Sequence, residues 1–590
     1  MIMSHDFIIK MCLHHWNVCL HWIKECLQHN NVKIIMRRWS LIIRKRSLIS
    51  KRRVLIIRRR ILIRRRVLIV RRRVLIRRRV LIRRRVLIVR RRVLIRRRVL
   101  IVRRRVLIRR RVLINSSIEQ YFSDRMSEDC LYLNIWSPIR PESNNNLKPV
   151  MFFIHGGGLH FGSSSEFVYS GHVLAAKGEV VVVTINYRMN VFGLLYSGTE
   201  DAPGNMALWD QALALEWVND NIQYFGGDPN RITLFGESAG GWSTSLHILS
   251  PITRNLFRNA IVMSGASLNN LSICDSEVVL NMWIKHIEDV GCGDGNSGHK
   301  MTTNMIECLR GLPADKLVQM PILHLGQCMS YLVIDGQFIV DKPVDSIRSG
   351  DFKKDFNLMV GTTEDEGSFL LNFFFDQIRY DKHVPKPLNR EQAVNDSIKF
   401  FRDFFGIEAK EEIEVYMTGL SDRSSEDLLR RTIGRAIGDY FLGCPTIIFA
   451  KLIHSMNPKN NVYQYYFNSK DGDPNKLFCS QWMGVCHFND IYPVFGVPFY
   501  DPNRYTDKER QVSQKMIDIF SSFAKTGRPA MQESAEWQSF YKLNDKTTIA
   551  PFYEITNEPK TNTNFGTNLK ITECHYLWQK YIIGDNDQDI

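Results

Sequence analysis

Ile232-Thr233-Leu234-Phe235-Gly236-Glu237-Ser238-Ala239-Gly240-Gly241 is the stretch on which the reading of this chain turns. Ile232–Phe235 has the composition of a short buried strand, and the residues after Ser238 are small enough to open a tightly packed helix. A serine forced into a sharp strand-to-helix turn needs glycine two positions to either side, because larger side chains there would collide with neighbouring elements. Gly236 and Gly240 stand at those positions, so Ser238 is the candidate nucleophile. The other reading is a helix N-cap serine that satisfies a free backbone N–H.

Further runs of the same kind lie to either side. Val150–Ile154 leads into His155-Gly156-Gly157-Gly158, and Val180–Tyr187 is nearly all β-branched before its polar end. Ala260–Met263 and Phe356–Val360 end at Ser264-Gly265 and Gly361, and Val462–Phe467 follows later. Helical patterns alternate with them, such as Asn205–Ile222 with Leu208, Leu213, Leu215 and Trp217 on its apolar side. Continuous apolar strands alternating with helices predict an α/β fold with a mostly parallel central sheet covered by helices. Ligands in such sheets bind beyond the carboxyl ends of the strands, where His155–Gly158, Ser238 and Glu366 collect.

The glycines after His155 let backbone N–H groups face a substrate oxygen, as an oxyanion hole requires. Gly157, Gly158 and Ala239 would supply three donors. A serine nucleophile also needs a base, and the base an orienting acid, in the chain order Ser, Asp or Glu, His. Glu366, in Glu364-Asp365-Glu366-Gly367-Ser368-Phe369, sits after a strand where that acid is expected. Spacing leaves four histidines as bases: His383, His454, His487 and His575. His454 and His575 lie in helical runs and read as structural, and His487 follows the last strong strand in a turn-like stretch.

The overall charge is misleading. The 590 residues carry a formal +20, which alone would point to a nucleic-acid or membrane-surface binder. Residues 1–115 hold 38 of the 80 Lys and Arg but only Asp6 and Glu25 of the 60 acidic residues, a formal +36 that leaves 116–590 at −16. An acidic globular body, 116–590, therefore follows a basic leader, 1–115. From Arg64 to Ile114 the leader is eight consecutive Arg-Arg-Arg-Val-Leu-Ile units, three of them extended by one Val. Six- and seven-residue units alternate irregularly, so the apolar triplets keep no fixed helical face. The repeat reads as translated simple-sequence DNA, the product of an intron or a mis-joined first exon, or as a disordered segment. As a genuine arm it would bind polyanions or anionic membrane. No nucleic acid is expected for the folded domain.

Upstream, Cys12, Cys19 and Cys26 recur every seven residues without a zinc-type pattern. Met1–Ser40 is not recognisable as a signal peptide, because Lys10, His14, His15 and Lys24 interrupt its apolar stretches. The chain contains no run of 18 apolar residues. The polar C-terminus carries neither a lipid-anchor tail nor a retention tetrapeptide.

With these residues in place, the body resembles the carboxylesterase type-B family, and within it the cholinesterases. The matching stretches are Met126–Trp136 (M-S-E-D-C-L-Y-L-N-I-W), H-G-G-G at 155–158, D-A-P-G-N at 201–205 and F-G-E-S-A-G-G at 235–241. H-I-L-S-P at 247–251, D-E-G-S-F at 365–369, M-G-V-C-H at 483–487 and F-A-K-T-G at 523–527 complete them. The resemblance implies an α/β-hydrolase that cleaves small-molecule carboxylic esters without metal or cofactor. It implies a catalytic triad of Ser238, Glu366 and His487, the same three oxyanion donors, and a substrate gorge that includes Glu237 and Phe369. It also implies disulfides Cys292–Cys308 and Cys444–Cys574, and with them a secreted or luminal protein. Sequons at Asn115, Asn270 and Asn395 fit that compartment, and the resemblance leaves room for a homo-oligomer.

The departures are specific. The resemblance starts only near residue 120, so the family's first strands are expected to be missing and Cys130 has no matching mate. Gln120 stands where cholinesterases carry a choline-binding tryptophan, Leu271 replaces an acyl-pocket tryptophan, and the pair after Glu366-Gly367-Ser368 is Phe369-Leu370. These differences bear on choline selectivity and leave the hydrolytic core untouched. The rival readings are a general carboxylesterase and a non-catalytic adhesion or binding module.

Overall fold

The computed structural model describes residues 126–584 apart from 139–146, 269–270, 296–299, 321–327, 471–478, 501–502, 531–535, 545–546 and 558–563. The chain divides into two units, Met1–Ser117 and Ile118–Ile590, and the described residues all lie in the second. The Arg-rich leader, Gln120 and the sequons at Asn115 and Asn270 therefore fall outside the described residues.

Eleven strands are described. They are β1 (Leu133–Trp136), β2 (Lys148–Ile154), β3 (Val181–Ile185), β4 (Gly227–Glu237), β5 (Asn259–Met263), β6 (Asn357–Thr363), β7 (Val462–Phe467), β8 (Tyr541–Lys542), β9 (Thr548–Ile549), β10 (Pro551–Ile555) and β11 (Phe565–Thr567). Nine of them form one sheet in the order β1-β3-β2-β4-β5-β6-β7-β10-β11, and β8 with β9 makes a separate ribbon. Only the outermost pairs, β1 with β3 and β10 with β11, are antiparallel; the inner pairs are parallel. The expected mostly parallel sheet is present.

The β-branched run of β3 is buried along its whole length, because helices cover both faces of the sheet; its one polar residue, Thr184, has its hydroxyl met by Asn134 Nδ2, which donates to it at 3.1 Å. One face packs Phe152, Val183, Leu234, Val262 and Val360 against the helices Met206–Asn221, Ala239–Leu249 and Cys444–Met456. The other sets Phe153, Phe235, Ile261 and Met359 against His172–Gly178 and Asp507–Thr526. Each fully buried side chain of this size contributes about 1.5–3 kcal/mol.

Two features of the helices differ from the sequence expectation or qualify it. In Met206–Asn221, Leu213 and Trp217 are 61% and 40% exposed instead of facing the core. At about 100° per residue, Leu208, Ala212, Leu215 and Val218 share one stripe, and the two exposed residues fall on the opposite side. The helical stretch Glu426–Met456 is long and apolar enough to cross a membrane by length and composition, yet it is buried inside the fold, as a core helix is.

Register decides where chemistry is placed. Ile154 at the end of β2 lies opposite Ile185 and Gly236, and Met263 at the end of β5 lies opposite Glu237 and Gly361. The loops after β2, β4, β5 and β6 therefore leave the sheet along one rim.

Candidate active site

Strand β4 ends at Glu237 and the next helix begins at Ala239, so Ser238 alone makes the turn. Its φ of 59° and ψ of −122° lie where a side chain is rarely tolerated, a strain of about 1–3 kcal/mol that must be held by its surroundings. Two backbone hydrogen bonds hold it: Ser238 N–H donates to Met263 O at 2.9 Å, and Trp242 N–H donates to Ser238 O at 2.9 Å. The flanking glycines are required sterically. A Cβ on Gly240 would sit 2.0 Å from Ile154 O, and one on Gly236 would sit 2.3 Å from Gly240 O.

Glu366 follows β6 by three residues and is buried. Its Oε2 accepts a 2.7 Å hydrogen bond from His487 Nδ1, across 121 positions of sequence. Its Oε1 accepts from Ser264 Oγ and from Thr363 N–H, each at 2.6 Å. The loop carrying the acid is joined to the loop carrying the histidine. Asp365 N–H donates to Val485 O at 2.9 Å, Val485 N–H donates to Asp365 Oδ2 at 3.0 Å, and Ser368 Oγ donates to Met483 O at 2.7 Å. Arg435 clamps the acid loop from outside, 2.7 Å from Asp365 and 2.8 Å from Glu364.

Of the four candidate histidines, only His487 reaches Glu366. His383 is exposed, His454 is buried in the helix Cys444–Met456, and His575 Nδ1 pairs with Gln579 Oε1 at 2.8 Å. No hydrogen bond joins His487 to Ser238 among the described residues. His487 Nε2 instead rests 3.0 Å from Glu237 Oε1, an oxygen that accepts no hydrogen bond. The imidazole lies flat on the ring of Phe369, with centroids 5.0 Å apart and planes 11° apart. Movement within its own plane preserves that contact.

Three buried carboxyls surround this one imidazole. Burial alone would lower the His487 pKa, but Glu237, Glu366 and Asp490 outweigh it and hold the ring above its ordinary 6.5. Burial pushes Glu237 up, opposed by His487 and reinforced by Asp490 and Glu366. Burial also acts to raise Glu366, but the hydrogen bonds from His487, Ser264 and Thr363 prevail and keep it below the usual carboxylate range. Asp490 is pushed up to about 6 by burial, against the Tyr465 hydroxyl that donates to its Oδ2 at 2.7 Å.

As the candidate base, His487 must be neutral to accept a proton, so a raised pKa would confine its competent form to higher pH. Glu237→Gln removes the carboxylate nearest Nε2. The acid limb of the kcat/KM profile is expected to move down by about 1 pH unit. An unmoved limb would mean that Glu237 does not govern the imidazole.

Gly157 and Gly158 have φ of 105° and 65°, and a Cβ on Gly157 would lie 2.0 Å from Phe161 O. Gly157 O accepts from His160 and Phe161 N–H, which folds the loop into a tight turn. No hydrogen bond among the described residues uses the N–H of Gly157 or Gly158, and Ala239, as the first helical residue, has no intrahelical acceptor. His155 and His160 support the loop as neutral rings, both held at about 4 by burial. His155 Nδ1–H donates to Gly156 O at 2.8 Å, and His160 Nε2–H donates to Met329 O at 2.7 Å. Leu271 is buried, and its carbonyl accepts from the N–H groups of Met329 and Ser330.

Disulfides Cys292–Cys308 and Cys444–Cys574 are formed as the resemblance implied, and Cys130 is free among the described residues. Two more, Cys274–Cys328 and Cys479–Cys486, were not expected. Sequence reasoning also missed Ser264, Asp365 and Asp490 as partners of the site. The available signals were position only: Ser264 at the end of a strand, Asp365 beside the acid, and Asp490 three residues past the histidine. Asn395, the one sequon within the described residues, is exposed on the helix Arg390–Phe400.

Comparison with known proteins gives a consistent result. The family model that matches, over residues 110–577, is that of the "Carboxylesterase family". An "Acetylcholinesterase-1" from Trittame loki is 36% identical over 465 residues, covering 77% of this chain and 80% of that protein. An "Acetylcholinesterase" from Electrophorus electricus is 35% identical over 451 residues, covering 70% and 69%. One from Leptinotarsa decemlineata is 32% identical over 484 residues, covering 78% and 72%.

Proposed function

We propose an acyl-enzyme mechanism on Ser238 for this chain, which belongs to the carboxylesterase family and is a carboxylic ester hydrolase. The observation that carries the proposal is the buried 2.7 Å contact between His487 Nδ1 and Glu366 on the rim that also bears Ser238 at its strained turn. Glu366 holds the Nδ1–H tautomer, which leaves Nε2 as the basic nitrogen. On substrate entry Nε2 moves off Glu237, sliding across Phe369, and takes the proton of Ser238 as the hydroxyl oxygen attacks the ester carbonyl. The N–H groups of Gly157, Gly158 and Ala239 hold the oxyanion, and the positive end of the helix Ala239–Leu249 favours the same charge. The imidazolium then gives its proton to the departing alcohol, and water, deprotonated in turn by His487, releases the acid.

An organophosphate is expected to label the protein once, on Ser238, with loss of ester hydrolysis in step with labelling. Labelling elsewhere, or hydrolysis that survives stoichiometric labelling, would remove Ser238 from the mechanism.

We assign the substrate class as cholinesterase-like, supported by the names of the relatives and by Phe369 beside the base. A cation over one aromatic ring is worth about 0.5–2 kcal/mol. Acetylthiocholine should therefore exceed its neutral 3,3-dimethylbutyl isostere in kcat/KM by about 2- to 30-fold. Equal values would favour a general carboxylesterase, the reading that Gln120 and Leu271 support. The four disulfides among the described residues support an oxidising compartment, and we place the protein outside the cell or in a secretory lumen.

A further inference from the structure

Cys486 immediately precedes His487, and its bond to Cys479 closes a short loop seven positions apart in sequence. The other three disulfides among the described residues join cysteines 54, 16 and 130 positions apart, and none has a cysteine adjacent in sequence to Ser238, Glu366 or His487. Both Cys479 and Cys486 are buried. Their sulfurs lie against the His487 carbonyl oxygen, 3.3 Å away for Cys486 and 4.0 Å for Cys479.

The loop is held between its two cysteines and strained beyond the second. Trp482 Nε1–H donates to Asp381 O at 3.1 Å, Met483 O is bonded to Ser368, and Val485 is bonded to Asp365, so the loop rests on the segment that carries the acid. Beyond the histidine, Phe488 has a φ of 79°, a conformation that so bulky a residue avoids unless its neighbours impose it. His487 thus stands between a cross-linked residue and a strained one. Asn489 N–H, donating to Cys486 O at 3.2 Å, closes the turn around it.

We propose that the Cys479–Cys486 cross-link is a positioning device that fixes the backbone of His487 so that Nε2 can pass between Glu237 and Ser238. The inference rests on His487 being the base, as proposed above. With Nδ1 tied to Glu366, the path of Nε2 depends on where the Cα of His487 is held. A misplacement of about 1 Å is enough to cost on the order of 10² in rate. The cross-link acts on turnover more than on substrate binding, because neither sulfur is among the groups assigned to contact the ester.

The experiment compares the full chain with the C479A/C486A double variant, using p-nitrophenyl acetate. The expected result is a kcat lower by roughly tenfold, a KM within about twofold, and an acid limb moved to lower pH as His487 loses its contacts with Glu237 and Glu366. Unchanged kcat and limb would overturn the inference, as would peptide mapping of the active protein that finds both cysteines as free thiols. His487→Ala separates the two ideas. If that variant keeps turnover, the base assignment fails; if it is inactive while the double variant matches the parent, only the cross-link inference fails. Should the double variant not fold, the unaltered protein is titrated with dithiothreitol, whose two thiols close to a disulfide as the cross-link opens to two thiols. Alkylation and mass mapping score each bond. Turnover should fall in step with opening of Cys479–Cys486, and turnover that outlasts it would overturn the inference.

Discussion

Replacing Ser238 with alanine is expected to lower kcat for p-nitrophenyl acetate by about 10⁶-fold. The size of the effect follows from what the substitution leaves in place. Alanine has the same backbone at φ 59°, so the strained turn, the flanking glycines and the bonds to Met263 and Trp242 persist. The donors proposed for the oxyanion, Gly157, Gly158 and the residue after the turn, are left untouched. A residual acceleration of about 10³–10⁴ over the uncatalysed reaction should therefore survive. Melting temperature should stay close to that of the parent, because no hydrogen bond to the serine hydroxyl is seen among the described residues. Organophosphate should no longer label the protein. A kcat within tenfold of the parent would show that the ester is cleaved without this hydroxyl.

The parts of this structure that were legible in the sequence are those whose constraints are local. A strand buried on both faces favours a nearly continuous apolar, β-branched run, so Val181–Ile185, polar only at Thr184, declares itself. A one-residue turn between strand and helix dictates glycine at Gly236 and Gly240, because a Cβ at either would strike backbone. The proposed base had no such local signature. Spacing left His383, His454, His487 and His575 as candidates, and what singles out His487 is a contact with a residue 121 positions away. Ser264 and Asp490 were unreadable for the same reason, since a serine at a strand end and an acid in a turn are ordinary surface composition until the fold buries them. Cysteine pairing is combinatorial, and the bonds Cys274–Cys328 and Cys479–Cys486 had no resemblance to guide them. The outward Leu213 and Trp217 show the opposite failure, in which an apolar residue was assigned to the core by type when its phase on the helix placed it outside.

Glu366→Gln is expected to cost about 10⁴ in kcat while leaving the fold intact. Two donors, Ser264 Oγ–H and Thr363 N–H, converge on Oε1 at 2.6 Å each, so the carbonyl oxygen of the glutamine must take that position. The amide NH₂ then faces His487 Nδ1, where Oε2 had accepted a hydrogen bond at 2.7 Å. Two donors cannot share that contact. The imidazole can satisfy it only by offering the Nδ1 lone pair, which moves its single proton to Nε2. A protonated Nε2 cannot accept the proton of Ser238, and the nucleophile is left unactivated although every atom stands within reach of its former place. The loss is one of tautomer, so KM should change little and the melting temperature should hold. The ¹⁵N chemical shifts of His487 should show the lone pair exchanged between the two ring nitrogens. A kcat loss of less than tenfold, or an Nδ1–H tautomer retained in the variant, would mean that Glu366 is not the group that orients the base. Asp490 would then be the remaining carboxyl whose charge acts on the imidazole, since Glu237 lies on the Nε2 side.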